Sequence, residues 1–446
     1  MSFWTGDRVA QALGVRAPGK LTFTGVSTDT RHLPPGAVFV ALKGERFDAH
    51  EFLAQAKATG AVAAVVRQGT PAVDGLPFFE VEDTLTALGA LARARRRALP
   101  VTAPVVAVTG SSGKTSAKEM IRAALGARWR VHATTGNLNN LVGVPLTLLD
   151  APADTEALVV EAGASIPGEI ARLRDIIEPT IGVVTNVGYA HLEGFGTLEG
   201  VLREKLTLLD RVAVAVVGTD PPELAEAARR RSRTVVAGSG EPADVHPDKA
   251  QLDDAGRPRI TWQGKSVTLP VVGAHQIENA MIALAVAREA GVDAARAVAA
   301  LARVELPGGR GRLLKAGALT IVDDSYNANP ASLRAAVELA RWLAQRRRRP
   351  LALIVGTMLE LGAESARLHA AAAAEIVAAS PDLVAVVGAF VPAFEPHRGA
   401  LGERLLTAPD AVTLGPKLKA AVPENAIVLL KASRGVALER VLRYLT

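Results

Sequence analysis

The stretch Val105-Val106-Ala107-Val108-Thr109-Gly110-Ser111-Ser112-Gly113-Lys114-Thr115 holds the residues whose chemistry is most direct. A β-branched run enters a loop of small residues, and a helix-forming segment leaves it from Ser116. A passage of this kind cradles phosphate, because backbone N–H groups of the loop and first helical turn face the anion and the helix dipole adds to them. Lys114 supplies a point charge for the β- and γ-phosphates, and the Thr115 hydroxyl suits Mg2+. Val108 stands five residues before Gly113, where the longer phosphate-loop pattern has glycine, so Gly110 supplies the flexible position in a shorter Thr-Gly-x-x-Gly-Lys-Thr form. Thr109, Gly110, Ser111, Ser112, Gly113, Lys114, Thr115 and Ser116 are therefore expected to bind a nucleotide.

Further chemistry lies downstream. Glu161 closes the run Leu158-Val159-Val160, at the C-terminal end of a central strand, where α/β sheets bind ligands. It can join Thr115 on one Mg2+ or be an ordinary strand-end acid. His191, in the glycine-rich run 185–196, suits a second metal or a phosphate, with a surface or core histidine as the bland alternative. Lys205 lies in an apolar helical segment, 198–209, with Leu202, Leu206 and Leu209 on one side. Snorkelling to solvent is its default. Burial instead would lower its pKa, and a neutral amine reacts with CO2 to give a carbamate able to bind metal. Asparagine occurs eight times, and seven of these fall in four short stretches: Asn137, Asn139 and Asn140; Asn186; Asn279; Asn327 and Asn329. A chain otherwise sparing of this amide places it where hydrogen-bond geometry is required. The stretch 323–330 adds two carboxylates, Tyr326 and two asparagines between a strand and a helix, more than turn chemistry needs.

These residues need a frame of alternating strands and helices. Short β-branched runs alternate with helical-period segments almost throughout, which predicts an α/β fold with mainly parallel sheets. Expected strands include 37–42, 61–66, 105–108, 157–160, 181–184, 212–217, 319–322, 351–355, 383–387 and 427–430, with a small β excursion between 244 and 272. The 446 residues, 49% of them apolar, suffice for about three domains. With no cysteine there is no disulfide, zinc ribbon, iron–sulfur cluster or thiolate nucleophile. Lys+Arg 51 against Asp+Glu 45 leaves +6, too modest for a dedicated nucleic-acid binder. The arginine runs 95–97 and 346–349 read as solvated helix ends, with a phosphate patch as the alternative. Neither a secretory leader nor a membrane span is apparent, which predicts a soluble cytoplasmic protein.

The phosphate loop 109–115, His191, Lys205 and the helix bearing Asn279 together resemble the Mur ligase family, over nearly the whole chain. Stretches 135–149, 190–196, 323–330 and 358–362 are similar to the branch of it that adds D-alanyl-D-alanine to UDP-N-acetylmuramoyl-tripeptide, and 25–31 and 41–48 to its UDP-sugar domain. The resemblance implies three domains: an N-terminal UDP-substrate domain over 1–83, a central P-loop ATPase-like domain with a parallel sheet over 84–306, and a C-terminal Rossmann-like ligase domain over 307–446. It implies ATP and two Mg2+ ions, one on Thr115 and Glu161, the other on His191 and carbamylated Lys205, with Lys114, Glu161, His191 and Lys205 catalytic. Asn279 would contact adenine, Arg312 phosphate or ribose, and Asp324 ribose. Asn137, Asn139 and Asn140 would meet the muramyl-peptide, and Thr28 and Arg31 the uridine end. Tyr326, Asn327, Asn329 and Arg434 complete the substrate set, Asn327 and Asn329 with loop 358–362 being candidates for the dipeptide. The same resemblance implies a cytoplasmic monomer acting on small molecules, with no nucleic-acid partner and no membrane insertion.

Overall fold

Short runs of valine, isoleucine and alanine without polar alternation, bounded by turns, fit strands covered on both faces, and helices on both sides of a parallel sheet supply that cover. In the computed structural model, which describes residues 3–44, 47–100 and 102–445, these runs form three such sheets. Glu45 and Arg46 of the stretch 41–48 lie outside the described residues. The central sheet has six parallel strands in the order Thr234–Val236, Val214–Val217, Ile181–Val184, Val105–Thr109, Ala157–Glu161, Val131–Ala133. From Val105–Thr109 the chain first fills one side of the sheet and then the other. The connections leaving its carboxyl edge diverge there and open a crevice.

Ahead of it, Val26–Ser27, Val38–Val40, Ala63–Arg67 and Phe78–Val81 pair in that order as a four-stranded parallel sheet. The helix Thr84–Arg97 follows. The third sheet runs Arg312–Ala316, Leu319–Asp323, Ile427–Lys431, Leu351–Val355, Leu383–Val387, Leu405–Ala408, antiparallel in its first pair and parallel in the rest. The β excursion is an antiparallel sheet of Lys249–Leu252, Pro258–Trp262 and Lys265–Thr268.

The arginine runs end helices as expected, and Arg97, Arg346 and Arg348 are exposed, but most of the guanidiniums are held by protein groups and not left free for phosphate. Arg95 is buried and donates to the carbonyls of Ala151 and Pro152, Arg96 donates to those of Ile177 and Glu178, and Arg97 pairs with the Glu178 carboxylate. Arg346 reaches Asp254 in the turn of the β excursion at 2.8 Å, and Arg349 donates to Ala318, Asn425 and Ala426 carbonyls. These guanidiniums tie the helix Thr84–Arg97 and the third sheet to their neighbours by filling orphaned carbonyls and pairing with carboxylates. One apolar cluster is continuous from Leu158, Val160 and Val184 of the central sheet to Leu353 of the third and Leu333 and Val337 of the helix Pro330–Arg347 that covers it. The two sheets thus share packing, and the crevice of one faces the strand ends of the other.

Candidate active site

The phosphate loop is shaped by two glycines. Gly110 has φ 152°, and a Cβ there would stand 1.8 Å from Thr185 Oγ1; Gly113 has φ 75°, with Asn279 Oδ1 2.7 Å from where a Cβ would be. No side chain fits at either position without displacing a neighbour. Asn186 Oδ1 accepts from Ser112 N at 2.9 Å, Ser111 N donates to Asn186 O at 3.0 Å, and Thr185 Oγ1 donates to Ser112 O at 2.6 Å. The loop after Ile181–Val184 is therefore a mould for the loop after Val105–Thr109. The helix Lys114–Gly126 begins at Gly113 with no side-chain cap, so its first N–H groups remain free for an anion. Lys114 folds back, Nζ to Gly110 O at 2.7 Å. Burial pushes its ammonium pKa down, Glu161 opposes that, Arg310 adds to it and Glu360 opposes it again.

Glu161 is 3% exposed, and each oxygen has one donor: Thr115 Oγ1 to Oε2 at 2.8 Å and Asn139 Nδ2 to Oε1 at 2.9 Å. A hydroxyl and a carboxylate side by side at a phosphate cradle fit Mg2+, a hard cation that takes few protein oxygens and keeps water and phosphate for the rest. Among the described residues no group of three or more His, Asp or Glu is placed to hold a metal by itself. His191 lies in the left-handed region, φ 54°, with Nδ1 2.6 Å from Glu360 Oε2. The carboxylate approaches off the line of the ring N–H, a close contact that is an ion pair when the ring is protonated. His191, then Lys114, hold the Glu360 carboxyl below its usual range despite partial burial. Lys205 is 1% exposed on the helix Leu198–Leu206, and its Nζ makes no hydrogen bond or ion pair to a described residue. Burial drives its pKa well below the ordinary lysine value, nearby Lys114 pushes the same way, and Glu204 opposes. Glu204 is engaged elsewhere, accepting from Gly168 N and Ile170 N at 2.8 Å each. Snorkelling is thus overturned: the amine is enclosed and starved of a counter-charge.

Across the cleft stand residues of the third sheet and its loops. Asp324 pairs with Lys431, and both lie near His275, an exposed residue of the cleft lining. Arg310 lies over the Tyr326 ring at 3.9 Å with its buried Nε unpartnered, and Arg434 approaches the same ring at 5.7 Å. Asn329 caps the helix Pro330–Arg347, accepting from Ser332 N at 2.8 Å, and donates Nδ2 to Ser111 O in the phosphate loop at 3.2 Å. Asn327 accepts from Ala328 N. Asn279, 6% exposed, donates to Gln276 and packs on Gly113.

One cleft of about 720 Å³ gathers Ser111 to Ser116, Glu161, His191, Asp324, Tyr326, Arg434 and all seven asparagines of the four stretches. That size is in the range of small-molecule sites. Thr109 and Gly110 sit behind the loop and Lys205 behind the lining, none of the three part of the wall. Arg312 opens an exposed edge strand outside the cleft, because Gly311 at φ 69° turns the chain, and Arg310 lines it instead. Thr28 and the 77% exposed side chain of Arg31, ion-paired with Asp29, lie apart on the N-terminal sheet. Sequence reasoning left Arg310, Glu360, Lys431 and His275 out of the site. Arg310 had a signal in its flanking glycines, Glu360 in the loop 358–362 and His275 in the polar start of the helix that bears Asn279; Lys431 had none apart from contacts across the cleft.

Three family models match the chain: the Mur ligase middle domain over residues 108–287, the Mur ligase glutamate ligase domain over 309–434 and the Mur ligase family catalytic domain over 22–96. The UDP-N-acetylmuramoyl-tripeptide–D-alanyl-D-alanine ligase of Escherichia coli (strain K12) is 38% identical over 443 residues, spanning 95% of this chain and 94% of its own. That of Bacillus subtilis (strain 168) is 36% identical over 434 residues, 94% and 92% of the two chains. A MurF structure from Acinetobacter baumannii superposes with a TM-score of 0.88 at 31% identity, covering 99% of this chain and 98% of that one. A MurF ligase from Thermotoga maritima in complex with ADP gives 0.82 at 32% identity, covering 94% and 96%.

Proposed function

The chain belongs to the Mur ligase family, and from that premise we propose that it joins D-alanyl-D-alanine to UDP-N-acetylmuramoyl-tripeptide at the expense of ATP, in peptidoglycan precursor synthesis. The observation that carries the reading is the shared cleft. The phosphate loop and Glu161 form one wall, and Tyr326, Asn327 and Arg434 form the other, so a phosphorylated acyl group on the first side meets an amine held on the second. In this reading residues 1–83 hold the UDP end through Thr28 and Arg31, residues 84–306 hold ATP, and residues 307–446 hold the dipeptide.

A carboxylate is a poor electrophile with a poor leaving group. ATP removes both obstacles: a carboxylate oxygen of the tripeptide attacks the γ-phosphorus, ADP leaves, and the resulting acyl phosphate is attacked by the dipeptide amine, with phosphate departing and the amine losing its proton. Lys114 and the unpartnered Arg310 guanidinium are aimed where phosphoryl charge builds, in a partly desolvated cleft where such charges act strongly. Asn279 and Asp324 are assigned to the nucleoside, and Asn137, Tyr326 and Arg434 to the acceptor and dipeptide. When bound, Mg2+ neutralises phosphate charge, held by Thr115 and Glu161, with a second ion on His191 and a carbamylated Lys205. What supports the carbamate is the enclosed, deprotonation-prone amine of Lys205, which adds to CO2 with release of one proton. The same reading takes the enzyme as a cytoplasmic monomer acting on small molecules, without nucleic-acid or membrane partners. Among the described residues no helix is long and apolar enough to cross a membrane.

The test is isotopic. With 18O in the tripeptide's terminal carboxylate, one labelled oxygen should appear in orthophosphate for each peptide bond formed, and only when D-alanyl-D-alanine is present. Unlabelled phosphate during productive turnover would overturn the mechanism.

A further inference from the structure

The loop between the strand Val131–Ala133 and the helix Gly143–Leu149 carries three asparagines, and each is committed differently. Asn140 Oδ1 accepts from Val142 N at 3.2 Å and Gly143 N at 2.8 Å, closing the entry to the helix. The Asn137 side chain is exposed in the cleft and makes no hydrogen bond to a described residue. Asn139 is held twice: its carbonyl accepts from Gly163 N at 2.7 Å, and its Nδ2 donates to Glu161 Oε1 at 2.9 Å. Position 163 leaves room for this, since a Cβ there would press on the Asn139 amide at 3.1 Å.

The same loop grips Glu161 from its other end. Glu161 N donates to Thr134 Oγ1 at 2.9 Å, and the buried Lys118 donates to Thr134 O at 2.6 Å. With Thr115 on Oε2, the carboxylate is fixed at main chain and both oxygens. A hydrogen bond to an ionised oxygen is stronger than a neutral one, so a sugar or peptide would have to outcompete a carboxylate to engage the Asn139 amide. Carboxylate ligands of metals are held by outer partners of this kind, which set the lone pairs they present.

We infer that Asn139 is a positioning residue for Glu161, fixing the carboxylate beside Thr115 for a divalent cation, and that Asn137 is the residue of this loop that meets the muramyl-peptide. The second half rests on the function proposed above; the first needs only Thr115 and Glu161 as the cation site.

The two halves separate by experiment. Mn2+ is titrated into ADP-loaded protein without muramyl substrate or dipeptide and followed by electron paramagnetic resonance. Asn139→Ala should weaken Mn2+ by about tenfold or more, whereas Asn137→Ala should leave it within about twofold and raise KM for the muramyl substrate instead. Metal-free ADP should bind Asn139→Ala as it binds the parent, showing that the phosphate loop is intact. In a Glu161→Gln background, Asn139→Ala should weaken Mn2+ no further. Parent-like Mn2+ affinity in Asn139→Ala with a raised KM would overturn the inference, and so would equal Mn2+ losses in both alanine variants. The Mn2+ measurement needs no ligation, so a failure of the proposed activity leaves it readable.

Discussion

Asn329 uses the two ends of one amide for two purposes, and a single isosteric change separates them. Its oxygen caps the helix Pro330–Arg347 by accepting from Ser332 N at 2.8 Å, and its nitrogen donates to Ser111 O at 3.2 Å, bridging residues 218 apart in the chain. Asn329→Ala removes both. Loss of the cap costs the helix about 1 kcal/mol, and loss of a buried hydrogen bond to the phosphate loop costs about 1 kcal/mol more. Asn329→Asp keeps the acceptor and adds a negative charge at a helix N-terminus, a gain of roughly 0.3–1 kcal/mol. It replaces the donor with an oxygen facing the Ser111 carbonyl, which costs about 1–3 kcal/mol, or roughly 5- to 150-fold in an equilibrium. The Asp variant should therefore retain hydrogen-exchange protection in the first turns of the helix while its KM for ATP rises by at least about fivefold. The Ala variant should lose both. Protection lost equally in Asp and Ala would refute the capping role, and a native KM for ATP in the Asp variant would refute the bridge to the phosphate loop.

Lys205→Ala should abolish ligation, and bicarbonate should not restore it, whereas the parent enzyme stripped of CO2 should lose phosphate release and regain it on adding bicarbonate; full activity of the variant would end the carbamate assignment. A pH effect is expected at His369, which is buried, accepts from Met358 N through Nε2 at 3.0 Å and faces Ser365 O with Nδ1 at 2.7 Å, an arrangement that requires the neutral ring. Burial holds its pKa below the ordinary value. The unfolded chain then binds a proton from about pH 6.5 downward that the native chain does not, so native stability is full above that pH and falls as pH drops toward the lowered pKa. Denaturant unfolding between pH 7.5 and 5 should show this slope, and His369→Gln should flatten it; an unchanged slope would place the proton elsewhere.

The fold was legible where the signal was local. Ile181–Val184, Leu351–Val355 and Leu383–Val387 lie where their short runs without polar residues placed them, because a strand covered on both faces is apolar throughout. Strands that went unread include Trp4–Thr5, Thr22–Phe23, Val26–Ser27, Val131–Ala133, Thr234–Val236, Arg312–Ala316 and Leu405–Ala408; each lies at a sheet edge and is at most five residues long. An edge strand is specified by its one neighbour more than by its own residues. Arg312 illustrates the cost: the resemblance implied phosphate or ribose for its side chain, yet it starts such an edge and is exposed.

The site shows the same division, with one reversal. Residue type and clustering found the cleft, since all seven clustered asparagines line it, but they did not assign the work within it. An amide has a donor end and an acceptor end, and which ligand or partner each takes depends on elements distant in sequence. Asn139 and Glu161 are 22 residues apart and Asn329 and Ser111 are 218 apart, so their bonds exist only once the sheets have assembled. The reversal is Lys205. Its side chain looked ready to snorkel from an amphipathic helix, and what removes that escape is packing around the helix, not any feature of the helix itself. The cation that sequence reading places most readily at the surface is thus the one whose chemistry assembly changes most, and its enclosure beside Lys114 is the physical ground for treating it as a reactive amine.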